Sequence, residues 1–154
     1  MTRIPIRCTA VSLIALRAME GGVHVLLLKR TGHLRGEWCQ IAGGIEDGET
    51  AWQAAIRELY EETGLTPISF YSADICEQFY ETHLDVTSLL PVFVAWVDPE
   101  VQVRLNHEHS AYRWVSPDKA ETMLPFAGQT KILRHVEATF IQATPSPHLK
   151  IALS

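Results

Sequence analysis

A chain of 154 residues, 47% hydrophobic and 20% charged, has the length of one compact domain and the balance of an ordinary globular fold. That composition excludes a disordered tail, a collagen-like repeat and a coiled coil. Its 18 acidic and 13 basic residues leave a net charge of −5, which argues against a binder of nucleic-acid backbone.

Arg3 and Arg7 precede or open an apolar run over residues 8–16, the outline of a short signal-peptide core. No small-x-small cleavage site follows, because Arg17-Ala18-Met19-Glu20 comes next. The run is too short to cross a bilayer and reads as a first strand, in a chain expected in the cytoplasm. Gly21-Gly22 marks a turn, so residues 7–17 and 23–30 are expected as a strand pair that ends in the basic pair Lys29-Arg30. A polar loop over 31–37 leads to a short strand at 38–42, and Gly43-Gly44 opens a second loop that closes at Gly48. Residues 50–63 hold neither Gly nor Pro and are rich in Ala, Glu and Leu, which predicts a helix stopped by Gly64.

Strands are expected again at 68–76 and 86–97, with Pro91 marking an edge position or a bulge in the second. Residues 111–115 read as a last short strand, and Ser116-Pro117-Asp118 caps a helix. Residues 128–143 suit a final amphipathic helix, which Thr144-Pro145-Ser146-Pro147 cannot continue. The whole reads as one α/β domain with a mixed sheet over residues 1–143, followed by a tail, 144–154, that is loose or docked on a partner. Cys8, Cys39 and Cys76 are odd in number and form no CxxC pair, as befits incidental thiols in a reducing compartment.

The acids are unevenly placed, with six of the 18 lying between Glu46 and Glu62. On a helix, Trp52, Ala55, Ile56 and Leu59 form one apolar stripe, and Glu58, Glu61 and Glu62 converge on a neighbouring strip. Like charges at that spacing cost about 0.2–0.5 kcal/mol per pair, and they sit at the helix end that disfavours anions. Arg57 can neutralise part of the charge; a divalent cation can satisfy the rest. Hard oxygen ligands without local His or Cys select Mg²⁺ or Mn²⁺. On these residues alone, a solvated acidic face remains the alternative.

The full segment reads Gly43, five residues, Glu49, seven residues, Arg57-Glu58-Leu59, one residue, Glu61-Glu62, one residue, Gly64-Leu65. At every defined position it resembles the signature of the Nudix (MutT-like) hydrolases. The resemblance implies an α/β/α sandwich with a mixed β-sheet, and a hydrolase of phosphoanhydride bonds that uses Mg²⁺ or Mn²⁺. It implies that Glu58, Glu61 and Glu62 hold metal with the Gly43 carbonyl, and that Arg57 fixes Glu49 or Glu61. Asn106-His107-Glu108-His109, ahead of Tyr112-Arg113-Trp114, resembles the family's glutamate-histidine segment and implies Glu108 as a metal ligand or general base. The base is then Glu108 or a box residue such as Glu61, while His107 and His109 read as surface or packing residues.

For the substrate, Arg30 and Arg35, with Lys29, are expected to meet phosphates. Trp38 packs under the helix or faces the substrate, and Gln40 reads a base or a pterin edge. Phe79 and Tyr80 stack on such a ring or sit in the core. Trp38-x-Gln40-x-x-Gly43-Gly44 with the later Glu108-His109 segment most resembles bacterial dATP and dihydroneopterin triphosphate pyrophosphohydrolases. That likeness implies a nucleoside triphosphate or related compound cleaved to pyrophosphate and a monophosphate. A dinucleoside polyphosphate or nucleotide sugar is the second substrate class. A nucleotide sensor without turnover is the third reading, and the intact glutamates count against it. The expected partner is a small molecule, with neither nucleic-acid polymer nor membrane, and a homodimer is common among such proteins.

Overall fold

The computed structural model describes residues 1–153. In chain order the strands are β1 (Ile6–Arg7), β2 (Ala10–Met19), β3 (Gly22–Arg30), β4 (Trp38–Cys39), β5 (Ile41–Gly44), β6 (Pro67–Glu81), β7 (Val86–Val97) and β8 (His109–Val115). The helices are α1 (Ala51–Thr63), α2 (Pro117–Met123) and α3 (Ala127–Val136), the last running on as a π-helical turn, Glu137–Ile141. In β2, residues Val11, Leu13 and Ala15 face one side and Ile14 and Leu16 the other, and all are buried. A strand apolar on both faces needs a layer on each.

Those layers are the helices, which makes an α/β/α sandwich. Against one face, Ala54, Ala55 and Leu59 of α1 pack on Leu13, Ala15, Leu28 and Phe93. Ile132, Leu133 and Val136 of α3 pack on Ile14, Leu16, Leu27 and Val94 across the other, with Ala120 of α2 beside them. The sheet is eight-stranded and mixed. β2 runs parallel to β7 and antiparallel to β3 and β5, while β3 pairs antiparallel with β4 and β8. Among the described residues, no helix is long and apolar enough to cross a membrane.

Several expected boundaries shift. The first strand divides into β1, parallel to β7, and β2. The strand at 38–42 breaks at Gln40, because β4 pairs with β3 whereas β5 crosses to β2. β6 does not stop at 76; a register shift between Ser72 and Cys76 lets it continue to Glu81. Pro91 lies in a central strand, not at an edge. It sits opposite Cys76 beside that shift, where the other neighbour of β7 changes from β1 to β2. The segment after residue 144 docks on its own sheet: the Ile151 amide donates to the Phe70 carbonyl at 2.8 Å, and Lys150 bridges Tyr71.

Local chemistry fixes both ends of α1. Thr50 accepts from the Gln53 amide at 3.2 Å, and the Gln53 side chain accepts from the Thr50 amide at 2.8 Å. At the other end Gly64 takes φ 73°, and its amide donates to the Tyr60 carbonyl at 2.8 Å.

Candidate active site

The ends of β3 and β5, the last turn of α1 and the start of β8 enclose an open cleft of about 520 Å³, with Arg30, Gly43, Glu62, Glu108 and His109 in its wall. The β3–β8 pairing brings the last of these in, because Arg30 lies opposite His109. The loop before β8 is tied down by Thr31, whose amide donates to the Glu108 carbonyl at 3.1 Å and whose hydroxyl donates to the His107 carbonyl at 2.9 Å.

Arg57 organises the floor. Its guanidinium donates to Glu49 Oε1 at 2.6 Å, Glu58 Oε1 at 2.8 Å, Glu61 Oε2 at 3.2 Å and the Gly44 carbonyl at 2.7 Å. The sequence suggested Glu49 or Glu61 as its partner; it holds both, and two further acceptors. Those bonds keep the Glu49 carboxyl below its usual range.

The three box glutamates do not share one environment. Glu61 is half exposed, whereas Glu58 and Glu62 turn inward at 8% and 1% exposure. Burial pushes the Glu62 carboxyl up to about 9, and the charges of Glu58 and Glu108 add to that. Burial also raises Glu58, against the pull of Arg57. Gly43 lies so close to Glu58 that a methyl group there would fall on the Glu58 carboxyl and displace it. Glu62 Oε2 finds no hydrogen-bond partner among the described residues.

His109 was expected on the surface or in packing, and the acids were expected without His or Cys beside them. His109 is buried, and the second expectation fails in three dimensions. His109 is 9% exposed, with Nδ1 at 3.6 Å from Glu62 Oε1 and Nε2 at 3.8 Å from the Cys39 sulfur. Burial lowers the imidazole below its ordinary value and raises the Cys39 thiol to about 11, so that thiol stays protonated. His107 is exposed at the rim. Donor atoms of Glu62, Glu108 and His109 lie within 4.8 Å of one another. Carboxylates facing one gap, one of them with an orphaned buried oxygen, fit a divalent cation.

The expected substrate contacts divide. Arg30 lines the cleft, but Arg35 is exposed on the loop before β4 and is not in its wall. Trp38 lies neither under α1 nor in the cleft wall; it packs on the α3 side, with Lys29 Nζ at 5.9 Å from its ring centre. Gln40 reaches the cleft, yet its amide donates to Ser12 at 3.1 Å and Glu77 at 2.9 Å and accepts from Gln129 at 3.3 Å. Local spacing does not point to Glu77 or Gln129, since β2, β6, α3 and the chain at Gln40 must assemble before they meet. Phe79 and Tyr80 are exposed on β6 at 42% and 54%, outside the core.

Comparison with known proteins decides the family, for a NUDIX domain model matches residues 7–136. The chain belongs to the Nudix family of pyrophosphohydrolases. A Nudix relative named bis(5′-nucleosyl)-tetraphosphatase [asymmetrical], from Caenorhabditis elegans, is 29% identical over 131 residues, covering 84% of this chain and 94% of that one. The solved C. elegans Ap4A hydrolase binary complex superposes with a TM-score of 0.74 at 26% identity, over 86% of this chain and 96% of that one. An octanoyltransferase of Myxococcus xanthus is 32% identical over 141 residues; the match takes in 87% of this chain but 37% of that one, so the chain spans little more than a third of it. The Escherichia coli dihydroneopterin triphosphate pyrophosphohydrolase shares the fold at a TM-score of 0.67 and 23% identity, over 86% of this chain and 96% of that one.

Proposed function

We propose that this Nudix chain hydrolyses a phosphoanhydride bond of a nucleoside polyphosphate, using a divalent cation held by Glu58, Glu61, Glu62, Glu108 and the Gly43 carbonyl. The observation that carries the reading is the buried Glu62 carboxyl beside Glu58, its Oε2 without a hydrogen-bond partner among the described residues, facing Glu108 across the cleft. A fold keeps such a group where a ligand completes it. When bound, Mg²⁺ or Mn²⁺ would neutralise the carboxylates, polarise phosphate oxygens and acidify the attacking water.

The side chains divide the remaining work. Glu58 and Glu62 act as carboxylates, so both must shed the protons that burial favours. Arg57 fixes Glu58 and Glu61 in one rotamer each. Glu61 is engaged with Arg57. Glu108 is exposed, its backbone is anchored by Thr31, and it takes the proton from the attacking water. Arg30 offers a planar fork to phosphate oxygens.

A dinucleoside polyphosphate is the leading substrate class, because the C. elegans relative named for that activity is matched along 94% of its length. The likeness to triphosphate pyrophosphohydrolases rests on Trp38, Gln40 and the Glu108-His109 segment; Trp38 packs on the α3 side, and Gln40, at the cleft, is tied into an internal network. It stands second. Diadenosine tetraphosphate, dATP and dihydroneopterin triphosphate assayed side by side, with products identified, separate the two. Two unequal nucleotides from the first compound support the leading reading; pyrophosphate plus a monophosphate from the others supports the second.

A further inference from the structure

The imidazole of His109 stands across the gap from Glu62. Its Nδ1 is buried and has no hydrogen-bond partner among the described residues, and the same holds for Glu62 Oε2. The separation of Nδ1 from Glu62 Oε1, 3.6 Å, is too long for a hydrogen bond. It is close to the edge between two ligands of one ion, roughly 3.0 to 3.4 Å for bonds of about 2.1 Å.

The contact of the other ring nitrogen fits one of the two tautomers. The Cys39 thiol donates to the Leu28 carbonyl at 3.5 Å, which leaves the sulfur lone pairs to meet Nε2 at 3.8 Å. An Nε2–H bond to that sulfur makes Nδ1 a bare lone pair turned toward a carboxylate oxygen. Once Glu62 is ionised, as cation binding requires, two lone pairs face each other, and a cation between them relieves the repulsion. A metal-bound histidine commonly has this arrangement, one nitrogen free for the ion and the other held by an acceptor. The donor atoms of Glu108 complete a group within 4.8 Å.

We propose that His109 supplies a nitrogen ligand to the cation held by Glu62 and Glu108, so that the site favours Mn²⁺, Co²⁺ or Zn²⁺ over Mg²⁺ more than an all-oxygen site does. Imidazole binds these borderline ions well, whereas Mg²⁺ prefers carboxylate and water. Cys39 acts through the ring as a positioning residue. The inference rests on the metal-dependent reading above and extends it to the choice of ion.

The test is pulsed electron paramagnetic resonance of Mn²⁺ on the intact, metal-stripped chain. Nitrogen coupling is expected in the wild type and should change to the ¹⁵N pattern when histidine is ¹⁵N-labelled. That second measurement needs no variant that could misfold. In His109→Gln the coupling should vanish, with Mn²⁺ affinity falling about 10- to 100-fold and Mg²⁺ affinity far less. Bound Mn²⁺ without nitrogen coupling in the wild type, or coupling that survives in His109→Gln, overturns the role of His109. Neither result touches the hydrolytic reading, which fails separately if no polyphosphate is cleaved while Mn²⁺ is bound.

Discussion

At Arg57 one guanidinium serves four acceptors, and its geometry matters more than its charge. Lysine there keeps the charge but loses the planar fork. Arg57→Lys should cost about 1–3 kcal/mol in thermal melts, because charged acceptors at Glu49 and Glu58 are left short of donors. It should also lower kcat/KM at least about tenfold, as the carboxylates lose their fixed positions. Gly43→Ala separates activity from stability. The added methyl meets the end of a flexible side chain, so the fold gives way at the Glu58 carboxyl. Hydrolysis should fall about 100-fold, with a change of at most about 1–3 kcal/mol in the melt. The box itself was legible because its members lie within one loop and one helix. His109 was not, since Cys39, Glu62 and His109 meet only after β3 has paired with β8 and α1 has packed on the sheet. Local spacing carries no sign of that meeting.

Among the elements, α1 follows most directly from its residues. The Thr50–Gln53 capping box, the uninterrupted helix formers and Gly64 all point to the same boundaries. Gly64→Ala forces a side chain into a left-handed conformation and brings it against Arg104. The expected cost is about 1–2 kcal/mol, or a drop of roughly 2–8 °C in the melting temperature. The strands were less readable. Alternation predicts β2 and β7, but β6 carries a register shift that interrupts its own pattern, so its continuation to Glu81 was hidden. At Gln40 the chain changes partners from β3 to β2, and that switch decides which face Trp38 and Gln40 meet. No local pattern in the sequence marks that switch.

For the molecule as a whole, the excess of negative charge is a site feature. Glu62 and Glu58 both titrate above their ordinary value because the fold buries them. Between the ordinary value of 4.5 and about 9, metal-free folded protein therefore holds protons that the unfolded chain has released. Stability must then fall as pH rises through that window. Melting temperatures of metal-free protein at pH 5, 7 and 9 should decline in that order, and Glu62→Gln should flatten the decline. Saturating Mn²⁺ should reverse it, since cation binding requires the carboxylates to be ionised and adds about 2.7 kcal/mol at a hundred times Kd. On the proposed function, the buried Glu62 carboxylate serves a metal-dependent hydrolysis. Turnover of diadenosine tetraphosphate, dATP and dihydroneopterin triphosphate by the wild type and Glu62→Gln, with divalent cation and with chelator, tests it most directly. Cation-dependent cleavage of at least one compound is expected of the wild type, with a loss of about 100-fold or more in the folded variant. Undiminished turnover by Glu62→Gln, or cleavage that persists in chelator, would contradict it.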